Sequence, residues 1–161
     1  MISTARPEEI LGEILRMKKL MLSAAESCTG GRVGDKITNV SGSSDYFLGS
    51  AVTYSNEAKT AMLGVKEKSL KAHGAVSEQV AGEMAAGCRK LFGSDIAVST
   101  TGIAGPTGGS KEKPVGLVWF GVSDGKKTTT DRKVFSGDRE QVKEAASMHA
   151  IVLVLSHIGS A

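Results

Sequence analysis

SAAESCTGG, residues 23–31, is the stretch whose reading decides the fold. Leu20, Met21 and Leu22 ahead of it are apolar and Ser23, Ala24 and Ala25 are small, so the chain enters as a buried strand. It leaves through Thr29, Gly30 and Gly31 into a helix predicted over about residues 29–40. A strand that hands over to a helix sets its turn at the rim of a sheet, where open α/β folds bind their ligands. Three side chains able to do chemistry, Glu26, Ser27 and Cys28, occupy that turn. The first amide groups of the helix behind them attract negative charge, an oxyanion or a phosphate. A plainer reading is also open, in which Thr29 only caps the helix and the glycines only permit close packing.

Working outward, the pattern alternates strand and helix. Residues 6–19 carry Pro7, Glu8 and Glu9 at a helix start and an apolar stripe of Ile10, Leu11, Ile14 and Leu15. Residues 20–26 form the first strand, and residues 46–54 (YFLGSAVTY) a second. Ser55 or Asn56 caps a short helix ending near Gly64, a further helical turn spans 66–72, and Ser77 opens a longer helix to about Phe92. Residues 95–101 read as a buried strand. The run GIAGPTGGSKEKPVG, residues 102–116, has too much Gly and Pro for a regular element and is the kind of loop that carries function. Residues 115–123 and 127–135 flank Asp124-Gly125, a strong hairpin signal, and Asp138 caps a last helix over 139–157. Strands separated by helices pair in parallel, and the hairpin forces at least one antiparallel strand. The expectation is one α/β domain over 1–161, with a mixed, mostly parallel sheet of about five strands and helices on both faces.

Composition excludes several classes of function. The net charge is +3 with no block of like charges, and aromatics make up 4%, so a nucleic-acid surface is not expected. Two cysteines, Cys28 and Cys88, make no disulfide framework, and the three histidines show no metal-ligand spacing. The N-terminal MISTARPEEI is not a secretory signal, and no apolar run approaches a membrane span, so the default expectation is a cytoplasmic protein.

Ser27 needs a base to act as a nucleophile. Lys59 is the candidate. If Asn56 caps its helix, the positive end of the dipole and partial burial both lower the lysine pKa, and a neutral lysine takes a proton from serine; Glu57 opposes this. Tyr54, five residues earlier, offers a hydroxyl to orient the lysine or relay a proton. Cys28 is the rival nucleophile, and Glu26 is either an orienting group or a partner for helix amides. Thr101, Gly102, Ala104 and Gly105 lie where a strand meets the glycine loop and offer amides for an oxyanion or a sugar phosphate. Lys111, Lys113 and Arg139 are candidate phosphate partners.

ESCTGG (26–31), VTYSNEAK (52–59), GAVSE (74–78), TGIAGPTGGSKEKPVG (101–116) and FSGDR (135–139) together resemble the C-terminal domain of the competence/damage-inducible protein CinA. That family includes stand-alone nicotinamide mononucleotide amidohydrolases, and the length of this chain resembles the stand-alone form. The resemblance implies a three-layer α/β/α fold and hydrolysis of the carboxamide of nicotinamide mononucleotide to nicotinate mononucleotide and ammonia. It implies Ser27 as nucleophile, Lys59 as base and Tyr54 as assistant, no metal or cofactor, and a homodimer. Glu26, Cys28, Thr29, Gly30, Gly31, Thr101, Gly102, Ala104, Gly105, Lys113 and Arg139 are the expected substrate-binding residues. A non-catalytic nucleotide-binding module of a competence/damage-inducible protein is the alternative.

Overall fold

A computed structural model describes residues 4–160; residues 1–3, the start of the polar N-terminal stretch, and residue 161 lie outside them. Five strands, β1 (Leu22–Glu26), β2 (Phe47–Val52), β3 (Ile96–Gly102), β4 (Leu117–Ser123) and β5 (Thr128–Val134), form a single sheet in the order β2-β1-β3-β4-β5. β2, β1 and β3 pair in parallel, and β4 runs antiparallel to both β3 and β5. The hairpin is therefore the source of the single reversed strand.

Six α-helices cover the sheet: α1 (Pro7–Lys18), α2 (Arg32–Thr38), α3 (Asn56–Leu63), α4 (Glu67–His73), α5 (Glu78–Phe92) and α6 (Arg139–Gly159). Leu11 and Leu15 of α1, Val33 and Ile37 of α2, and Val142, Ile151 and Val154 of α6 bury against Leu22, Val98 and Phe120 on one face. Leu63 of α3 and Val80, Met84 and Cys88 of α5 bury against Ala25 and Ala97 on the other. This gives the expected helix–sheet–helix layering. The core has few aromatic rings, so Ala, Val and Leu fill it and the elements approach closely.

One expectation needs correction. The second helix begins at Arg32 rather than Thr29, and Gly31 occupies its cap position with φ 108°. The first turn is capped from outside, by the Glu26 carboxylate at the end of β1. It accepts from the amides of Gly31 (3.1 Å), Val33 (2.9 Å) and Gly34 (3.1 Å). A strand-end carboxylate thus replaces the local Ser/Thr cap that sequence reading looks for.

The order β2-β1-β3 sends the chain from β1 to one side and, after β2, back to the other. The carboxyl ends of β1 and β3 therefore diverge from each other's connections, which is the usual ligand crevice of such sheets. His149 pairs with Asp131 (2.6 Å) and His157 with Asp124 (2.9 Å), both tying α6 to the β4–β5 hairpin. The amides of Lys127 and Lys126 and the ring of His157 hold the Asp124 carboxyl well below the usual carboxylate range. Among the described residues no cluster suited to a metal ion occurs, and no helix is long and apolar enough to cross a membrane.

α3 is positioned by a close approach to α5. A Cβ on Gly87 would lie 1.7 Å from the Leu63 carbonyl oxygen, which is backbone and cannot yield without moving the helix. Gly87→Ala should therefore destabilise the protein by about 1–3 kcal/mol, although alanine ordinarily favours a helix interior. Urea unfolding of the variant checks this; an unchanged or raised midpoint would contradict it.

Candidate active site

The pleat of β1 divides its residues between the two faces of the sheet. Leu22 and Ala24 join the core under α2 and α6, while Ala25 joins the core under α3 and α5, and Ser23 bonds Cys88 of α5 at 3.3 Å. Glu26 continues the first set and Ser27 the second. The two neighbours consequently serve different helices. Glu26 meets α2, and Ser27, whose amide still bonds the Thr100 carbonyl of β3 (3.1 Å), meets α3.

Lys59 is the residue it meets. Ser55 caps α3, its hydroxyl accepting from the Ala58 amide at 3.0 Å, and Lys59 follows as the fourth helical residue. Its side chain is 1% exposed. Nζ stands 2.9 Å from Ser27 Oγ and donates to the carbonyl oxygens of Thr53 (2.8 Å) and Tyr54 (3.1 Å). Burial pushes the lysine below its ordinary pKa, and the nearby Cys28 opposes the shift only in part. The opposition expected from Glu57 does not arise, because Glu57 is exposed and takes no part in the balance.

These three contacts have a chemical consequence. Carbonyl oxygens only accept, so the two of them engage two N–H bonds. A neutral amine then has its lone pair left for the third direction, which is Ser27. In that state the serine hydroxyl donates to the lysine. After proton transfer the ammonium offers all three hydrogens to the same three oxygens. The cage therefore satisfies the amine in both protonation states.

A cavity of about 330 Å³ opens over this pair. It is lined by Ser27, Cys28, Tyr54 and Lys59, by Thr101, Gly102, Ala104 and Gly105 from the end of β3 and the glycine loop, and by Arg139 from the start of α6. Its size is at the lower end of the range for small-ligand sites. Among the described residues, no other residue takes the amide hydrogens of Cys28, Ala104 or Gly105. These amides are the available donors for an oxyanion.

Several expected site residues do other work. The Tyr54 hydroxyl does not reach Lys59: the side chain is 64% exposed and its oxygen accepts from Arg139 Nη2 at 3.3 Å. Tyr54 holds the lysine through its main-chain carbonyl instead. Glu26 is fully buried and, beyond the three amides, accepts from the hydroxyls of Thr29 (2.6 Å) and Ser50 (2.5 Å). Its five donors leave it no role with substrate. Thr29 also bonds Thr100 (2.8 Å), and Gly30 (φ 60°) and Gly31 shape the turn behind the cavity rather than line it. Lys113 does not line the cavity either; its ammonium donates to the His73 carbonyl at 2.5 Å, at the negative end of α4.

Sequence reading missed the Thr53 carbonyl, which no side-chain pattern reveals, and the walls contributed by Ala75, Val76, Thr107 and Gly108. It also missed Lys143, whose ammonium lies over the turn, 3.4 Å from where a Cβ on Gly30 would sit. Its spacing of four from Arg139 on a helix was the available signal.

The family profile described as the CinA C-terminal domain matches residues 4–158. A CinA-like protein of Chloroherpeton thalassium is 52% identical over 151 residues, covering 91% of this chain and 36% of that protein. One of Salinibacter ruber is 50% identical over 144 residues, covering 89% and 35%. The chain thus spans about a third of the length of these relatives. The crystal structure of the competence damage-inducible protein A from Klebsiella pneumoniae superposes with TM-score 0.90 at 34% identity, covering 96% of this chain and 98% of that one. A competence/damage inducible protein from Agrobacterium tumefaciens superposes with TM-score 0.87 at 36% identity, covering 97% and 98%.

The rival nucleophile is also placed by this geometry. Burial pushes the Cys28 thiol up to about 12 and the Cys88 thiol up to about 11. The thiolate is the reactive form, so neither should react at pH 8 while the protein is folded. Native protein treated with iodoacetamide should remain unalkylated by mass spectrometry, and unfolded protein should take up two groups. Rapid single labelling of Cys28 would restore thiol chemistry to consideration.

Proposed function

Because the chain belongs to the CinA C-terminal domain family, we propose that it is an amidohydrolase. Its reaction is hydrolysis of the carboxamide of nicotinamide mononucleotide to nicotinate mononucleotide and ammonia, with Ser27 as nucleophile and Lys59 as base. The observation that carries this reading is the 2.9 Å approach of Lys59 Nζ to Ser27 Oγ, with two carbonyls occupying the lysine's other hydrogens. A buried amine with this surround and no carboxylate within its cage is shifted towards its neutral form. A structural lysine would instead hold its charge against an acid.

The steps follow from that arrangement. Ser27 Oγ attacks the carboxamide carbon as its proton passes to Lys59 Nζ. The carbonyl oxygen becomes an oxyanion, for which the amides of Cys28, Ala104 and Gly105 are the candidate donors. Lys59 returns the proton to the amide nitrogen as the C–N bond breaks, and ammonia leaves. Water then gives a proton to Lys59 and attacks the acyl carbon. The second tetrahedral species collapses, the carboxylate product forms, and Ser27 recovers its proton from Lys59. Loss of one oxyanion donor in such a site costs about 10²–10³ in turnover.

Ser27→Ala and Lys59→Met should each lower kcat for ammonia release from nicotinamide mononucleotide by at least about 10³-fold, with the fold intact by circular dichroism. Methionine keeps the buried chain and removes only the amine. Wild-type kcat/KM should rise with pH as Lys59 deprotonates, with a midpoint below the ordinary lysine value of about 10.4. A coupled ammonia assay measures both. A Ser27→Ala protein that releases ammonia at the wild-type rate would refute the assignment.

A further inference from the structure

The loop between β3 and β4, residues 103–116, supplies one wall of the cavity through Ala104, Gly105, Thr107 and Gly108. Its base is fixed. The Ile103 amide donates to the Leu117 carbonyl and the Gly116 amide to the Ile103 carbonyl, both at 2.8 Å, which prolongs the β3–β4 pairing by one step. The middle is held far less, and residues 106–112 are exposed. A turn closes there on itself, the Ser110 amide donating to the Lys113 carbonyl (2.7 Å) and the Lys113 amide to Ser110 Oγ (3.0 Å). Beyond that turn and the base, two hydrogen bonds tie residues 104–115 to other described residues. Arg139 Nη1 donates to the Gly105 carbonyl at 2.8 Å, and Lys113 Nζ donates to the His73 carbonyl at 2.5 Å.

The second of these bonds joins two walls of the cavity. Ala75 and Val76, just beyond His73, line it as well. Their segment is anchored: α4 ends at His73, Thr101 Oγ1 donates to the Ala75 carbonyl at 2.9 Å, and Ser77 caps α5. The His73 carbonyl closes its helix and has no helical amide to accept from, and a cation is favoured at that end. Gly74 leaves room for the approach, since a Cβ on it would stand 3.1 Å from Lys113 Nζ, at a φ of 75°. Lys113 is half-buried where Lys111 and Glu112 before it are exposed, so its side chain is the one turned inward. The cage of Lys59 owes nothing to this contact, because it is built from Ser27, Thr53 and Tyr54.

We infer that Lys113 is a positioning residue, which braces the glycine loop against the end of α4 and so sets the width of the cavity without touching what the cavity holds. The inference rests on the amidohydrolase reading for its substrate and adds to it a fastening for the loop. Without the brace, the base and Arg139 still hold Ala104 and Gly105, while the limb from 107 to 113 is released. Binding then weakens, and the bond-making steps at Ser27 keep their rate.

The test measures kcat and KM for nicotinamide mononucleotide in wild type, Lys113→Met and Lys113→Arg. Lys113→Met should raise KM by about 10-fold and leave kcat within about 3-fold. Lys113→Arg keeps a donor and should recover most of the affinity. A variant that is merely misfolded lowers kcat and leaves KM. A second measurement needs no turnover: hydrogen exchange read by mass spectrometry. Amides of residues 107–113 should exchange at least about 5-fold faster in Lys113→Met than in wild type, with β3 and β4 unchanged. Should wild type release no ammonia, the amidohydrolase reading falls and the exchange alone decides the brace. A KM unchanged in Lys113→Met, a loss confined to kcat, an arginine that recovers nothing, or equal exchange of the loop in wild type and Lys113→Met overturns the inference.

Discussion

Lys59 is an amine buried without a counter-charge, held by two main-chain carbonyls and one serine hydroxyl. An isolated ammonium in that position would be costly, and the protein avoids the cost by shifting the equilibrium towards the neutral form. The same shift makes the group useful as a base. A histidine reaches neutrality at ordinary pH without such treatment. A lysine requires burial, and the burial must be dry and tightly built. Much of the surrounding structure can be understood as meeting that requirement.

The cage is assembled from three elements that the sheet order brings to one edge. β1 delivers Ser27, the segment after β2 delivers the Thr53 and Tyr54 carbonyls, and α3 delivers the lysine. Thr53 is itself locked by its amide bond to the Glu26 carbonyl at 2.8 Å, a continuation of the β1–β2 pairing. The Thr53 acceptor is thus fixed by a hydrogen bond that continues the sheet pairing. Gly87 lets α3 come against α5, and Glu26 anchors the turn from the opposite face through α2. Adjacent residues of one strand therefore divide the labour: Glu26 secures the turn and Ser27 presents the hydroxyl.

The fold was largely legible because its signals are periodic. Buried apolar runs, Gly-Ser turns and the Asp124-Gly125 hairpin mark elements whose bounds differ from the structure mostly by one or two residues at each end. α2 is the exception, since its cap comes from Glu26, five residues before the Gly31 amide it accepts from, and no local motif announces a cap at that range. At the site, the juxtaposition of Ser27 with Lys59 was readable from residue types at element ends. The contact that Tyr54 makes with Lys59 escaped sequence reading because a side chain is visible in a sequence and a carbonyl is not. Lys113 was misjudged because a cation in a glycine loop suggests phosphate, whereas the exposed carboxyl end of α4 satisfies it first.

The electrostatics of the site follow from the same requirement. At the reacting end, any additional negative charge would hold Lys59 protonated and disable it, and accordingly the carboxylate next to Ser27, Glu26, is engaged by five donors on the far face of β1. Arg139 and Lys143, at the start of α6, take no part in the lysine's shift, which burial produces. Burial is the dominant influence on Lys59, and the nearby Cys28 opposes it only in part. It follows that the base is tuned chiefly by packing. A change that admits water between α3 and the sheet restores solvation to the ammonium, raises its pKa and removes the base while every catalytic side chain remains in place. In this site, stability of the α3–α5 contact and reactivity of Ser27 are two expressions of the burial of one lysine.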